Sequence, residues 1–83
     1  MHDYDNYKYI GTKKIIELSK KENELLKILI ENKGSIVLTE NLLNTLYEKT
    51  LSARALEQLV HRLRKKLKNE ITIKTRPKFG YGI

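Results

Sequence analysis

One stretch of the sequence constrains the fold more than any other: residues 56–68, which read LEQLVHRLRKKLK. Its apolar residues recur at helical spacing and fall within an arc of about 100° on a helical wheel. They are Leu56, Leu59, Val60, Leu63 and Leu67. Five of its last seven residues are Arg or Lys, and like charges three or four positions apart repel by about 0.2–0.5 kcal/mol per pair. The stretch therefore predicts a helix that buries one side and needs a partner to neutralise the other.

The positive charge of the chain is concentrated in its last 23 residues. The 83 residues carry a net charge of +7. Residues 61–83 hold eight Lys or Arg and one acid, Glu70, whereas residues 1–60 hold nine of each sign and are neutral overall. A positive field segregated in this way implies a polyanionic partner, either nucleic acid or an anionic membrane surface.

Composition also excludes several classes of function. A chain of 83 residues supports one small domain with one core. It has no Cys, which excludes disulfides and Cys-ligated zinc and suits a reducing, cytoplasmic setting. No apolar run approaches the roughly 18 residues of a membrane span. Because no catalytic set or phosphate-binding loop stands out and His61 has no second His beside it, we expect no enzyme, no metal, no cofactor and no membrane partner.

The first half of the chain predicts a hairpin followed by a helix. Tyr and Ile residues around Gly11 favour two strands at roughly 6–10 and 14–18. Ser19 and Glu22 form a capping box, so a helix should begin there. Gly34 is a natural stop for that helix.

The second half predicts two further helices and a second hairpin. The elements are a short strand over 35–38, a second helix over 40–48 capped by Thr39, a third helix over 53–68 capped by Ser52, and a hairpin over 71–83 with the tip Arg76-Pro77-Lys78. Two capped helices with a short connection indicate a helix-turn-helix, and the last hairpin would be a wing beside it. The predicted class is α+β, a winged helix-turn-helix with three helices, a short N-terminal β-hairpin and a C-terminal β-hairpin wing.

A helix with one apolar and one basic side fits the major groove of DNA, which admits an α-helix. Recognition helices usually present their N-terminal part to the bases. Arg pairs bidentately with guanine and Gln with adenine, so Arg54 and Gln58 are the first candidate readers, with His61 and Arg62 next. The hairpin tip could place Arg76 or Lys78 in a minor groove.

From Leu18 to Tyr81 the chain resembles the effector domain of OmpR/PhoB-type response regulators, a winged helix-turn-helix family. The matching segments are LSKKENELLKIL, Gly34, SIVLTENLLNTLY, SARALEQLVHRLRKKL, and the closing IKT and GY. The resemblance implies a bacterial transcription regulator of the two-component type. Such a regulator binds direct repeats in promoter DNA as a head-to-tail homodimer, and the loop between its second and third helices contacts RNA polymerase.

The same resemblance assigns candidate DNA-binding residues. Carried over position by position, they are Tyr47, Arg54, Gln58, His61, Arg62, Arg64, Thr75 and Tyr81. Lys65, on the same face of the helix, and the wing-tip cations Arg76 and Lys78 complete the set. Residues 1–83 are then expected to form a single DNA-binding domain, with residues 1–5 as a flexible tail and no receiver domain among them. The expected location is the bacterial cytoplasm, at the nucleoid.

The sequence departs from the family pattern at several positions. Asn23 replaces the usual aromatic residue of the first helix, so the core must be filled differently there. In the wing, the family arginine falls on Pro77 and the family glycine on Lys78. The N-terminal region has room for about two strands where the family commonly has four.

Two other interpretations fit the same charge pattern. The domain could be a winged helix that binds an acidic protein partner, which would show negligible DNA binding at physiological salt. It could also bind nucleic acid non-specifically, RNA included, or lie on a membrane surface. The apolar side of the basic helix carries no aromatic residue and is better suited to a core than to a membrane.

Overall fold

The structure, a computed structural model, describes residues 1–47, 53–68 and 70–83, apart from the side chain of Tyr47. Within these residues the chain forms three α-helices, six short strands and one 3-10 turn. In order they are β1 (His2–Asp3), the 3-10 turn (Tyr4–Asn6), β2 (Lys8–Ile10), β3 (Ile15–Glu17), α1 (Lys20–Glu31), β4 (Ile36–Leu38), α2 (Thr39–Tyr47), α3 (Ala53–Lys66), β5 (Lys74–Arg76) and β6 (Gly80–Gly82). The predicted class is confirmed.

The capping box at the start of α1 is present. The Ser19 hydroxyl accepts from the Glu22 backbone N–H at 3.2 Å, and the Glu22 carboxylate accepts from the Ser19 backbone N–H at 2.8 Å. These two bonds satisfy donors that a helix start otherwise leaves unpaired. The helix ends at Glu31, three residues before Gly34, whose φ of +92° lies in the left-handed region.

The N-terminal sheet contains the predicted hairpin and one further strand. β2 lies in the middle of the antiparallel order β1-β2-β3. Tyr9 pairs with Ile16, which is buried, and Ile10 pairs with Ile15, which is exposed. Because successive residues of a strand point to opposite faces, only the Tyr9–Ile16 face packs against the core. The sheet has three strands where the sequence suggests room for two.

Residues 1–5, expected from the sequence to be a flexible tail, are tied to α1 by hydrogen bonds in the structure. His2 Nε2 lies 2.7 Å from Asn23 Oδ1, and Asn23 Nδ2 donates to the Tyr4 carbonyl at 3.0 Å. The Tyr4 hydroxyl donates to Glu24 at 2.5 Å. Asn23 is 1% exposed. The space that an aromatic residue would fill is thus occupied by an amide that holds the chain start in place.

The helical core is built around the apolar stripe of α3. Leu56, Leu59, Val60 and Leu63 are buried, together with Leu67 just after the helix end. They pack in one cluster with the inner leucines of α1 and α2. α2 begins at Thr39 itself, one residue earlier than predicted, and α3 ends two residues earlier. The predicted cap at Ser52 lies outside the described residues.

The wing belongs to a second sheet of order β4-β6-β5. β6 is central, so the hairpin β5–β6 is joined to β4, which precedes α2. At Gly80 a Cβ atom would lie 1.9 Å from the Val37 carbonyl oxygen, so the approach of β4 requires glycine. The first strand of the hairpin predicted over 71–83 begins only at Lys74. Ile73, just before it, lies in the core with 3% exposure.

A candidate nucleic-acid interface

The outer face of α3 carries the four residues predicted to read bases. Arg54, Gln58, His61 and Arg62 are all exposed, and together with Glu57 they line one shallow depression on the surface. Burial of the leucine stripe sets the rotation of the helix, so the opposite side faces outward. Within the described residues none of these four side chains has a hydrogen-bond partner or an ion-pair partner. They are available to an external ligand.

Lys65 lies on the same outer face. It is exposed, and within the described part of the chain it makes no hydrogen bond and no ion pair. Its ammonium group can therefore neutralise a phosphate without first breaking a contact inside the domain.

The tip of the wing is a tight turn with two exposed cations. The Phe79 backbone N–H donates to the Arg76 carbonyl at 2.9 Å. Pro77 and Lys78 are the two central residues, and Lys78 has a φ of +68°. A positive φ at the second central residue is the requirement of a type II turn, which usually places glycine there. Lys78 therefore holds a backbone conformation that usually takes glycine, and it adds a charge.

A second depression joins the start of α3 to the wing. Its lining comprises Thr39, Ala53, Glu57, Thr75, Arg76, Pro77, Lys78, Gly80 and Tyr81. This depression thus places the start of α3, at Ala53 and Glu57, beside the wing candidates Thr75, Arg76, Lys78 and Tyr81. Glu57 lines both depressions.

Tyr81 contributes little surface to this site. It is 8% exposed and belongs to the core cluster. Burial raises the pKa of its hydroxyl, Glu57 raises that pKa further, and Arg64 opposes the rise. The hydroxyl therefore stays protonated at neutral pH and can donate a hydrogen bond from the floor of the depression.

Arg64 is already engaged with the protein. Its Nε and Nη2 atoms donate to the Ile73 carbonyl at 3.2 and 2.9 Å, and Nη2 also donates to Thr75 Oγ1 at 2.8 Å. Two of the predicted DNA-binding residues, Arg64 and Thr75, therefore bind each other. The side chain of Tyr47 lies outside what the structure describes, as does the connection after α2.

Lys66, which the sequence places toward the core edge, is also engaged. Its Nζ atom lies 2.6 Å from Glu22 Oε1 and donates to the Glu17 carbonyl at 3.1 Å. Burial by itself raises the pKa of the Glu22 carboxyl, but the hydrogen bonds from Lys66 and Ser19 outweigh it and lower that pKa. Glu22 is 2% exposed, so this ion pair fastens α3 to α1.

Sequence reasoning missed Glu57. It lies beside Gln58 on the outer side of α3 and is exposed. The signal was available, because Glu57 is the one acid between residues 53 and 68. The described residues include no cluster of three His, Cys, Asp or Glu suited to a metal ion, and no helix among them is long and apolar enough to cross a membrane.

Comparison with known proteins gives one family and several relatives. The family described as "Transcriptional regulatory protein, C terminal" matches residues 11–83. The response regulator protein PmrA of Pseudomonas aeruginosa is 39% identical over 70 residues, which cover 82% of this chain and 31% of PmrA. The chain thus spans about a third of that curated relative.

Two solved structures have the same fold. The DNA-binding domain of Bacillus subtilis CssR superposes with a TM-score of 0.85 at 29% identity, over 99% of this chain and 96% of that one. The response regulator DrrB of Thermotoga maritima, an OmpR/PhoB homologue, superposes with a TM-score of 0.76 at 39% identity, over 84% of this chain and 34% of DrrB.

Proposed function

This chain belongs to the family of C-terminal domains of transcriptional regulatory proteins, and on that premise we propose that it binds double-stranded DNA sequence-specifically as part of a bacterial two-component response regulator. The resemblance to OmpR/PhoB-type effector domains is confirmed. In the proposed complex α3 lies in the major groove and the wing lies at the adjacent minor groove. The domain acts by binding, without catalysis, in the bacterial cytoplasm at the nucleoid.

The observation that carries this proposal is the outer face of α3. It offers Arg54, Gln58, His61 and Arg62 with no competing partner among the described residues. Arg and Gln can each make a bidentate contact to a base edge, to guanine and to adenine respectively. A row that also contains Glu57, which can accept from the cytosine amino group, suits base reading better than simple charge neutralisation.

The cations around this face supply affinity. Lys65 is exposed on the helix, and Arg76 and Lys78 are exposed at the wing tip. Each phosphate that a cation neutralises releases counterions, so affinity falls as salt rises. We assign the base contacts to the outer face of α3, and the phosphate or minor-groove contacts to these three cations.

Assembly on DNA is part of the proposal. Two copies bind direct repeats head to tail, with half-sites about one helical turn apart, as such dimers require. The contact with RNA polymerase that the resemblance implies would involve the connection after α2, outside the described residues. The domain would receive its signal from a receiver domain of the same regulator.

The test is selection of preferred sites from random duplexes, followed by titration of the preferred and a scrambled duplex at two salt concentrations. We expect Gln58→Ala and Arg62→Ala each to cost about 1–3 kcal/mol at the preferred site and to relax one base position. A variant of Lys65 serves as the matched control, because its loss should weaken both duplexes alike. If every substitution weakened both duplexes equally, non-specific binding would replace this proposal.

A further inference from the structure

Arg64 and Lys66 occupy the two flanks of α3, each about 100° around the helix from the centre of its outer face. Lys66 turns inward to α1. Arg64 turns toward the wing, and it is half-buried. Since the resemblance places Arg64 on a DNA-contacting position, its bonds within the protein require an explanation.

The two acceptors of Arg64 define the base of the wing. Ile73 is anchored in the core and immediately precedes β5, whereas Thr75 is the middle residue of β5, opposite Tyr81 of β6. A single guanidinium therefore holds a backbone carbonyl and a side-chain hydroxyl two residues apart. Hydrogen bonds from a charged donor are stronger than neutral ones, and the planar fork of Arg is preorganised for two acceptors at once.

These bonds fix the direction in which β5 leaves the core. Without these bonds, β5 would be held only by its pairing with β6, since β5 lies at the edge of its sheet. α3 carries the proposed base readers and β5 leads to the cations at the tip. The angle between α3 and β5 therefore decides whether both sets reach adjacent grooves of one duplex.

We propose that Arg64 is a positioning residue, which sets the wing against α3 through Ile73 and Thr75 instead of contacting DNA itself. The inference rests on the proposed function, because a wing angle matters only if helix and wing bind together. It also reassigns Thr75, whose hydroxyl is used to receive Arg64. The wing tip, with Arg76 and Lys78, then makes the minor-groove contact that Arg64 makes possible.

The first test needs no DNA. Because the chain has no Cys, spin labels can be placed at Phe79→Cys on the wing and Glu31→Cys on α1, both exposed positions. We expect Arg64→Lys, which keeps the charge but loses the fork, and Thr75→Val, which loses only the hydroxyl, to broaden or shift the distance distribution. Lys65→Arg is the control and should leave it unchanged. An unaltered distribution in both test variants would overturn the proposal.

The second test separates positioning from direct contact. Affinity is measured for a duplex that ends at the major-groove site and for one that extends through the adjacent minor groove. We expect the wild type to prefer the longer duplex, and Arg64→Lys and Thr75→Val to reduce that preference by about tenfold. Their affinity for the short duplex should stay within about twofold of the wild type.

A further variant, Arg64→Ala, is titrated with the same two duplexes. If Arg64→Ala weakens both duplexes equally while Thr75→Val has no effect, Arg64 is a phosphate contact and the proposal fails. If no variant and no wild-type protein binds either duplex, the proposed function fails, yet the spin-label distances still decide whether Arg64 orients the wing. Thr75→Val leaves every charge and the core leucines in place, so it keeps the test valid if Arg64 variants do not fold.

Discussion

The outer face of α3 and its two flanks carry the same kinds of side chain but use them differently. On the outer face, Arg62 and Lys65 have no partner among the described residues. On the flanks, Arg64 is bonded to the wing and Lys66 to Glu22. The sequence RLRKK therefore contains two cations with no partner among the described residues and two that hold the domain together. Counting the basic residues of a helix therefore overestimates how many of them are available to a ligand.

The largest effect on stability is expected from removing the ion pair between Lys66 and Glu22 on one flank of α3. In Lys66→Ala the Glu22 carboxylate stays buried but loses its charged partner, which should destabilise the domain by about 1–3 kcal/mol. The lower part of that range allows for the partial exposure of Lys66, 41%. Urea unfolding measures the change. DNA affinity of the folded protein should be unaltered, and a loss of affinity without a loss of stability would place Lys66 on the DNA instead.

Acid should remove the same interaction. The pKa of Glu22 is lower in the folded domain than its ordinary value, so as pH falls the unfolded chain takes up a proton first and stability drops. The stabilisation that ionised Glu22 contributes is complete above the ordinary pKa range of a carboxyl group. It is lost as pH falls through the pKa that Glu22 has in the folded domain. The stability difference between wild type and Lys66→Ala should therefore shrink between neutral pH and about pH 3. A constant difference would mean that the two charges are not coupled.

At the wing tip, the effect of the Lys78 charge on DNA binding should be separable from the effect of its backbone conformation on stability. Lys78 holds a positive φ, which costs a lysine more than a glycine. We expect Lys78→Gly to stabilise the free domain by about 0.5–1 kcal/mol while weakening binding to DNA. Thermal unfolding and a DNA titration measure the two changes. Lys78→Asn is the matched control, since Asn tolerates this conformation and also lacks the charge; it should bind DNA as weakly as Lys78→Gly.

The smallest change in stability is expected on the outer face. Lys65→Ala removes an exposed side chain without a partner, so the free energy of unfolding should change by less than about 0.5 kcal/mol. The dependence of log affinity on log salt concentration should become shallower by about 0.9. If Lys65→Ala instead destabilised the domain as much as Lys66→Ala, the distinction between outer face and flank would be wrong.

Local signals allowed most of the fold to be predicted. The capping box of Ser19 and Glu22 marks the start of α1 within a four-residue stretch. The leucine stripe of α3 can be recognised from helical geometry alone. Because the stripe is buried, the opposite side of the helix, with Gln58 and Arg62, is exposed.

The features that were missed depend on residues far apart in sequence. β1 is tied to α1 by the buried amide of Asn23, which contacts His2, 21 residues earlier. Lys66 binds Glu22, which lies 44 residues earlier in the sequence. β6 pairs with β4, although α2 and α3 separate the two strands in the sequence. No periodicity in a short window encodes such pairings. Arg64 and Thr75 are only 11 residues apart, but their bond depends on how Ile73 turns into the core.

The close approach at Gly80 also has a genetic consequence. Val37 leaves no room for a Cβ atom there, and glycine is the only residue without one. Every missense change that a single base can make in a glycine codon introduces that atom. Any single-nucleotide missense mutation at this codon therefore disrupts the sheet that supports the wing. No substitution that a single nucleotide change can produce is mild.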